Sequence, residues 1–373
     1  MVYLWGNILK KHIFSIDFFI VFLTFILMAI GFIAVKSASG ANERKTAVQL
    51  IAYTLGFISM ICISFWDYRS IIHIKNYVYF LSIFLLLLVF IFGIGKEETG
   101  SLSWIRFGSI GVQPSEFVKL LFCLYLACDL SEKLDTGTLN EIKSLGKTIL
   151  CSSLIIGLVI LQNDTGTALV FIFILLGMLY IAGISHKFFL LGGVIAVVFL
   201  PVAWLFLADY QRERILVFFN PDAELSDSGY QVFQSKLAFG SGGILGHGYE
   251  NGPINALSYL PEKDTDFIFG VIGEEFGFIG AILVLILLLM LVIRCFHIAR
   301  SAVDTTGKLI ATGISCMLLF HTVENIGMTI GLLPVTGIPL PFISYGGSSV
   351  LSMSMAIGLI LSIRRKSFNL HFS

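Results

Sequence analysis

Long apolar runs separated by short polar segments dominate the chain, and they predict ten membrane-spanning helices. Residues 77–95 and 280–293, for example, contain no charged residue. A helix needs about 20 mostly apolar residues to cross the hydrocarbon core, where its backbone groups must pair within the protein. We therefore expect an all-α polytopic membrane protein with spans near residues 16–36, 47–65, 76–95, 114–131, 147–163, 167–184, 188–207, 267–294, 308–331 and 343–363.

The composition agrees with a membrane protein and excludes other classes. Hydrophobic residues make up 57% of the chain, charged residues 13%, and the mean hydropathy is +0.91. A soluble domain carries about 25% charged residues, so this chain has too few for a fully wet surface. Basic and acidic residues are equal in number, 24 each. No nucleic-acid partner is expected, because such a partner requires a basic surface.

The basic residues between the spans predict the orientation of the chain. With the N-terminus inside the cell, 14 lysines and arginines fall on the inner side and nine on the outer side, and Lys119 within span four completes the 24. Short connections rich in basic residues usually lie in the cytoplasm. We therefore expect both termini to be cytoplasmic.

One connection, residues 208–265, is far longer than most others and is expected to be functional. Loops of this length are usually functional or disordered, and this one is not of low complexity, since it carries YQRERI at 210–215 and FGSGGILGHG at 239–248. Residues 235–243 are typical of a short amphipathic helix on the membrane surface. We interpret residues 1–373 as one transmembrane domain that contains a large extracytoplasmic loop.

Polar and ionisable side chains within or beside the spans concentrate towards the outer face. Such groups are costly in a bilayer and mark functional sites by default. They are Glu116, Lys119, Asp164, Asp266, Glu274, Glu275, His321, Glu324, Asn325, Ser344 and Ser348. Because they come from five different spans, they predict a site where residues 259–266, YLPEKDTD, enter span eight.

Each of these groups also has a purely structural interpretation. Glu116 and Lys119 share one helix face at i and i+3, where they can pair with each other. Asp164 can be a plain interfacial carboxylate, and Asp266 can cap span eight, where the helix dipole favours an acid. Hydrogen bonding within the bundle is the corresponding alternative for Glu274 with Glu275 and for His321 with Glu324.

Four segments of the chain resemble the SEDS family, the shape, elongation, division and sporulation proteins. They are YQRERILVFFNPD at 210–222, GYQVFQSKLAFGSGGILGHG at 229–248, YLPEKDTDFIFGVIGEEFG at 259–277 and GLLPVTGIPLPFISYGGSS at 331–349. The resemblance covers essentially the whole chain, with the motifs in the same order. VTGIPLP and QRERI resemble the RodA branch, the elongation members, more than the FtsW branch, the division members.

The resemblance implies a peptidoglycan glycosyltransferase that polymerises lipid II at the outer face of the bacterial cytoplasmic membrane, during elongation and rod-shape maintenance. It implies a class B penicillin-binding transpeptidase and other elongation-complex proteins as partners, and contact of the prenyl tails with membrane lipid. On the family pattern Asp266 is the catalytic aspartate. Glu116 and Lys119 match the family's pair in span four, and Asp164 matches its acid after span five.

Glycan polymerisation requires a base for the acceptor hydroxyl and positive charge for the pyrophosphate leaving group. Asp266 is the candidate base, since a carboxylate within hydrogen-bond reach can accept that proton and burial would raise its pKa. The candidate phosphate contacts are basic side chains, namely Lys119, Arg106, Arg212 and Arg214. Further candidate substrate contacts are Glu116, Asp164, Ser344 and Ser348.

Two departures from the family pattern fall at the expected site. Residues 162–164 read QND where the family has glutamine-proline-aspartate, and Asp264 occupies a position where the family often has histidine. Asp264 and Asp266, with Glu262 and Asp164, supply the oxygen ligands that Mg²⁺ or Mn²⁺ accepts. One expectation is therefore a divalent cation, and the other is a solvated acidic loop without a fixed metal.

Two other functions remain open at this point. A lipid II flippase, a transporter, would spread ionisable groups through the full membrane depth, whereas these groups favour the outer half. Glu274, Glu275 and His321 are the residues that keep transport open. A scaffold without catalytic activity would make Asp266 dispensable.

Overall fold

The computed structural model describes residues 17–40, 42–95, 101–107, 110–219, 227–257 and 259–371, which are mostly helical. In chain order the α-helices are α1 (Phe18–Ser39), α2 (Glu43–Ser64), α3 (Lys75–Phe92), α4 (Pro114–Asp135), α5 (Ile142–Leu161), α6 (Thr165–Ala182), α7 (His186–Phe206), α8 (Asp209–Phe219), α9 (Asp227–Ser241), α10 (Pro253–Ala256), α11 (Ile268–Ser301), α12 (Thr305–Thr329) and α13 (Gly347–His371). A 3₁₀ helix, Tyr68–Ile74, leads into α3. The ten helices other than α8, α9 and α10 occupy the ten predicted positions.

Eight of these helices within the described ranges are long and apolar enough to cross a membrane, namely α1, α2, α3, α5, α6, α11, α12 and α13. α4 differs because Glu116, Lys119 and Asp129 interrupt its apolar sequence. α7 has a shorter apolar stretch, His186–Phe199. The protein is thus a polytopic all-α membrane protein, as predicted.

The ends of several helices differ from the predicted bounds for local reasons. α1 begins after Asp17, whose side chain accepts a hydrogen bond from the Ile20 amide; residue 16, the predicted start, lies outside the described residues. α3 ends at Phe92 because the backbone becomes extended at Gly93. α13 begins at Gly347, later than residue 343, because the turns before it hold Ser344 against the loop preceding α11.

α11 is not one continuous helix, because its backbone breaks at Gly277. This residue has φ 65° and ψ −166°, a conformation open to glycine and strained for other residues. The backbone groups freed by the break pair with the loop after α9. The amides of residues 247 and 248 donate to the carbonyls of residues 274 and 275, and those of residues 278 and 279 donate to the carbonyls of residues 243 and 244.

The described part of the large predicted loop is therefore packed onto the bundle. The predicted amphipathic helix at residues 235–243 is longer than expected and ends earlier, as α9, Asp227–Ser241. α9 packs on α11 and α12 and also contacts α8 and α10. The glycines of FGSGGILGHG allow this segment to approach α11 closely, since a Cβ on Gly242 or Gly246 would collide with the backbone of α11.

The core of the bundle is formed around α12, which packs against α4, α6, α11 and α13. In the apolar part of α12 83% of the residues are buried, against 22% in the segment Tyr68–Phe92, which therefore faces the surroundings. Before α4, β1 (Ile105–Phe107) and β2 (Ile110–Val112) form an antiparallel pair. The polar site near Asp266 is lined mainly by the connections between these helices.

We expect Gly277→Ala to destabilise the protein. A Cβ at this position would lie 2.5 Å from the Ile244 carbonyl oxygen, and the required backbone conformation is strained by about 1–3 kcal/mol for a residue other than glycine. The matched control is Gly157→Ala in α5, where a Cβ meets no atom within 4 Å and alanine favours the helix. Thermal unfolding in detergent measures both, and equal melting temperatures would contradict the proposed constraint.

Candidate functional site

Asp266 lies in the turn before α11 and lines a cavity of about 480 Å³. The cavity is formed by the segment before β1, the α5–α6 connection, α8, the 262–266 turn and residues 335–337, and its lining includes Asp164, Arg214 and Glu262. Asp266 does not cap α11, since the residue at that position is Phe267 and no side chain caps the helix there. The purely structural capping interpretation of Asp266 is therefore wrong.

The turn is held in place by hydrogen bonds to three consecutive backbone carbonyls. The Asn325 side-chain amide donates to the Asp266 carbonyl at 2.8 Å and to the Ile338 carbonyl at 2.8 Å. The Ser344 hydroxyl donates to the Thr265 carbonyl at 2.6 Å, and the Tyr345 amide donates to the Asp264 carbonyl at 2.8 Å. We call these contacts the carbonyl clamp.

The electrostatic setting of Asp266 favours a carboxyl group that titrates near neutral pH. Burial, and then the neighbouring Glu262 carboxylate, raise the pKa of Asp266 to about 7, while Arg214 acts in the opposite direction. An ordinary aspartate has a pKa of about 3.9. Asp266 therefore has the pKa of a group that can accept a proton at neutral pH.

Asp164 lies in the same cavity and also caps α6. Its carboxylate accepts hydrogen bonds from the Thr167 amide at 3.0 Å, the Gln113 side-chain amide at 3.1 Å and the Ser103 hydroxyl at 3.3 Å. The structure therefore places it with Asp266 as expected, and its hydrogen bonds join the α5–α6 connection to the start of α4.

Of the basic candidates, Arg214 lines the Asp266 cavity. Its guanidinium donates to the Val335 carbonyl at 3.2 Å and lies 5.5 Å from the centre of the Tyr210 ring. Arg212, two residues earlier on α8, projects to a different side of the helix and donates to the carbonyls of Trp204 and Leu205 at 3.1 and 3.0 Å. The prediction that Arg212 shares the site is therefore not supported.

Arg106 and Ser348 also lie outside the lining of that cavity. Arg106 is exposed on β1, opposite Gly111. The Ser348 hydroxyl accepts a hydrogen bond from the Gln113 amide at 3.1 Å and so helps to fix the start of α4. Ser344, as part of the carbonyl clamp, also has a positioning role in this structure.

Glu116 and Lys119 form the predicted pair, with 2.8 Å between the Lys119 ammonium and the Glu116 carboxylate. Both are almost fully buried, at 2% and 1% exposure, and neither lines the Asp266 cavity. The Lys119 ammonium also lies 2.9 Å from His321 Nε2, and the Glu116 carboxylate accepts from the Ser352 hydroxyl at 3.1 Å. In this structure Lys119 is engaged inside the bundle, so the expected direct phosphate contact is not seen.

His321 and Glu324 do not pair with each other, but both form hydrogen bonds within the bundle, as their purely structural interpretation predicts. His321 contacts Lys119 on one ring nitrogen and, on the other, the Pro339 carbonyl at 3.1 Å. Glu324 accepts a hydrogen bond from the Thr336 hydroxyl at 2.9 Å. Both residues thus connect α12 to the segment that contains residues 335–345.

Glu274 and Glu275 form hydrogen bonds within the bundle, as their purely structural interpretation predicts. Glu274 accepts hydrogen bonds from the amides of Ile254 and Asn255 at 2.6 and 3.1 Å. Glu275 accepts from the Asn255 side chain at 2.8 Å and from the Ser37 hydroxyl. The two carboxylates thus hold α10 and α1 against α11.

Asp264 and Asp266 line two neighbouring cavities that have Glu262 in common. Asp264 lines the cavity of about 910 Å³ and pairs with Lys45 at 2.5 Å. Among the residues that the structure describes, no group of three or more His, Cys, Asp or Glu side chains is close enough to hold a metal ion. Asp264 is paired with Lys45 in this structure, and the ligation of a cation by Asp264 and Asp266 stays a prediction.

Several residues of the cavity were not identified from the sequence, among them Tyr210, Glu213 and Thr336. Tyr210 donates to the Asn163 carbonyl at 2.8 Å and so connects α8 to the α5–α6 connection. Tyr210 and Glu213 lie within YQRERI, a motif whose charged residues could have indicated them. Thr336 is the threonine of VTGIPLP, one of the motifs that gave the resemblance to the RodA branch.

The chain matches the FtsW/RodA/SpoVE family of cell cycle proteins over residues 17–369. Stage V sporulation protein E of Bacillus subtilis is 38% identical over 367 residues, covering 95% of this chain and 98% of that protein. A probable peptidoglycan glycosyltransferase FtsW of Trichlorobacter lovleyi is 36% identical over 355 residues, covering 93% and 92%. The polytopic fold therefore belongs to a family of membrane proteins of the cell cycle. This chain is a member of the FtsW/RodA/SpoVE family.

Solved structures agree with this membership. A chain from a peptidoglycan synthase complex, described as coordinating polymerization and crosslinking, has a TM-score of 0.81 at 29% identity and covers 95% of this chain and 98% of its own. The rod shape determining protein RodA of Thermus thermophilus has a TM-score of 0.71 at 27% identity, with the same two coverages.

We expect Asp266→Asn to raise stability in a pH-dependent manner. The folded carboxyl keeps its proton up to a pKa of about 7, whereas an unfolded aspartate loses it near pH 3.9. The folded state therefore binds more protons between these values, and its stability falls as the pH rises from about 4 to about 7. Asparagine cannot ionise, so the variant should melt higher than the wild type at pH 8 and show a smaller difference at pH 5.

Thermal unfolding in detergent at the two pH values tests this expectation. The control is Asp209→Asn on α8, whose carboxylate is fully exposed. If Asp266→Asn and the wild type melt at the same temperature at pH 8, the buried-carboxyl interpretation is contradicted. It is also contradicted if Asp209→Asn raises the melting temperature by the same amount.

Proposed function

We propose that this protein polymerises lipid II into glycan strands, with Asp266 as the general base. The observation that supports this most directly is one carboxyl group with a pKa of about 7, held by the carbonyl clamp beside Arg214 in a polar cavity. That cavity lies beside the start of α11, at the level where we expect the sugar of a membrane lipid.

The enzyme class has support from relatives. A glycosyltransferase of peptidoglycan synthesis is the activity given in the name of the FtsW relative, which covers 93% of this chain. The apolar helices and the family together make this chain a multi-pass protein of the cytoplasmic membrane. We further propose that both termini are cytoplasmic, which places Asp266 and the 208–265 segment outside, as the positive-inside rule favours.

The proposed reaction transfers a glycan from one pyrophosphate-linked lipid to another. Asp266 accepts the proton of the acceptor 4-hydroxyl as that oxygen forms a bond to the anomeric carbon of the donor. The bond between this carbon and the pyrophosphate oxygen breaks, and its electron pair leaves with the lipid pyrophosphate. Arg214 offsets the negative charge of the pyrophosphate.

A divalent cation stays a separate proposal. Asp266 and Glu262, or Asp266 and Asp164, line the same cavity, and Mg²⁺ commonly binds through one or two carboxylates together with substrate phosphates and water. When bound, such an ion would neutralise pyrophosphate charge. The role of Asp266 as a base does not depend on it.

We propose a class B penicillin-binding transpeptidase as a partner, together with other proteins of the elongation complex. The similarity to a chain of a peptidoglycan synthase complex, described as coordinating polymerization and crosslinking, supports a crosslinking partner.

The cellular role is proposed as elongation, on the basis of VTGIPLP and QRERI. A division or sporulation role is the second candidate, because the FtsW and SpoVE relatives are 36% and 38% identical. Expression in a strain depleted of either its elongation or its division enzyme separates the two roles, since only the matching defect should be corrected.

A flippase is a weaker candidate. The groups that kept transport open, Glu274, Glu275 and His321, are all buried and bonded to neighbouring elements. They offer less support for a polar path through the bundle than the Asp266 cavity offers for polymerisation.

We expect Asp266→Asn to lower polymerisation by about 10²–10⁴-fold, the usual contribution of a general base. The matched control is Asp264→Asn, two residues away and in a different cavity, which should keep most of the activity. Purified proteins, with and without the transpeptidase partner, are assayed for glycan chains made from lipid II. Wild-type rates in Asp266→Asn would refute the assignment, and lipid scrambling by that variant in liposomes would favour the flippase.

We expect kcat/KM to rise about tenfold per pH unit below pH 7 and to level off above it, because the base must be ionised. Glu262→Gln should shift the midpoint to lower pH, since the Glu262 carboxylate raises the pKa of Asp266. Steady-state rates between pH 5 and 9 provide the profile. An identical midpoint in Glu262→Gln and the wild type would argue against Asp266 as the titrating group.

A further inference from the structure

A smaller pocket of about 230 Å³ adjoins the Asp266 cavity. α8, α9 and residues 331–335 form its walls, and Arg214 and Val335 line both spaces. Most of its lining is apolar, including Val217, Val232 and Leu333. The pocket thus adjoins the candidate site at Arg214 and Val335 and is chemically different from it.

The charged groups of this pocket are all basic as far as the structure describes its lining. Arg214 comes from α8 and Lys236 from α9. No carboxylate among the described residues pairs with Lys236, whereas the cavity next to it carries Asp164, Glu213, Glu262 and Asp266. Lys236, which has no carboxylate partner among the described residues, and Arg214 together are suited to an anion with more than one charge.

The course of the Lys236 side chain is set by a glycine on the opposite wall. Gly331 has φ +73°, and a Cβ there would collide with the end of the Lys236 side chain. The lysine therefore lies directly against the backbone at 331, where a larger residue would displace it. The Ser235 hydroxyl, next to the lysine, donates to the Thr329 carbonyl at 2.9 Å and fixes α9 on the end of α12.

We propose that this pocket binds the pyrophosphate and first isoprene units of a polyprenyl-linked substrate. Lys236 and Arg214 contact the phosphates, and the apolar walls pack against the prenyl chain. This inference rests on the proposed function and adds to it a substrate-binding residue, Lys236. An anion without a lipid would make no contact with the apolar walls. A prenyl alcohol would place no negative charge next to Lys236 and Arg214.

The order of the two spaces gives the pocket its role in the reaction. Arg214 faces both, so a pyrophosphate between Arg214 and Lys236 places the attached sugar in the Asp266 cavity. The leaving group would then remain bound between two cations when its bond to the sugar breaks.

The test measures equilibrium binding to the full chain in phosphatidylcholine nanodiscs, with farnesyl pyrophosphate, farnesol and inorganic pyrophosphate as probes. Wild type should bind farnesyl pyrophosphate more tightly than either other probe. Lys236→Met should weaken this binding about tenfold or more, as expected for a lost charge-assisted hydrogen bond, and Lys236→Arg should retain most of it. The control is Lys308→Met, an exposed lysine that lines neither space, and it should bind like wild type.

Equal binding by Lys236→Met and Lys308→Met overturns the proposal, and equal affinity for inorganic and farnesyl pyrophosphate overturns its lipid part. Polymerisation is measured in parallel. If the wild type polymerises lipid II, and Lys236→Met has the same KM and the same affinity for farnesyl pyrophosphate as the wild type, this inference is refuted and the proposed function stands. If the wild type makes no glycan with its partner, the proposed function is refuted. The binding measurements then still test whether the pocket binds a prenyl pyrophosphate.

Discussion

Backbone groups cannot be left unpaired inside a membrane protein, and the break in α11 at Gly277 makes this requirement decisive for the whole structure. The amides and carbonyls released there are satisfied by residues 243–248, so the segment after α9 is bound to the helix that begins next to Asp266. Glu274 and Glu275, just before the break, add contacts to α10 and α1. The part of the long connection that follows α9 is thereby fixed to α11.

A second constraint comes from charge buried in the bundle. An unpaired ammonium in this environment would be strongly unfavourable, and Lys119 meets both Glu116 and His321. His321 also contacts the Pro339 carbonyl, within the same segment that supplies Ser344 and Tyr345 to the carbonyl clamp. The ion pair of α4 and the turn of Asp266 are therefore connected through one short stretch of chain.

Much of the fold could be predicted from the sequence, because apolar runs of membrane length leave few alternatives to helices. The ten positions and the Glu116–Lys119 pair followed from local spacing alone. The contents of the cavity did not, since Arg212 and Arg214 have the same chemistry and differ in which side of α8 they occupy. Nor could spacing show that Asp264 and Asp266 lie in separate cavities, or that His321 pairs with Lys119, because these depend on contacts between distant segments. The break at Gly277 was hidden for the same reason.

The carbonyl clamp fixes the backbone of the turn before α11 independently of its side chains. Its hydrogen bonds go to the main-chain oxygens of residues 264–266, which every amino acid possesses. Side chains in this turn can therefore be exchanged during evolution without moving the peptide planes that carry them. Asp264 illustrates this independence: its side chain pairs with Lys45, while its carbonyl oxygen accepts a hydrogen bond from the Tyr345 amide.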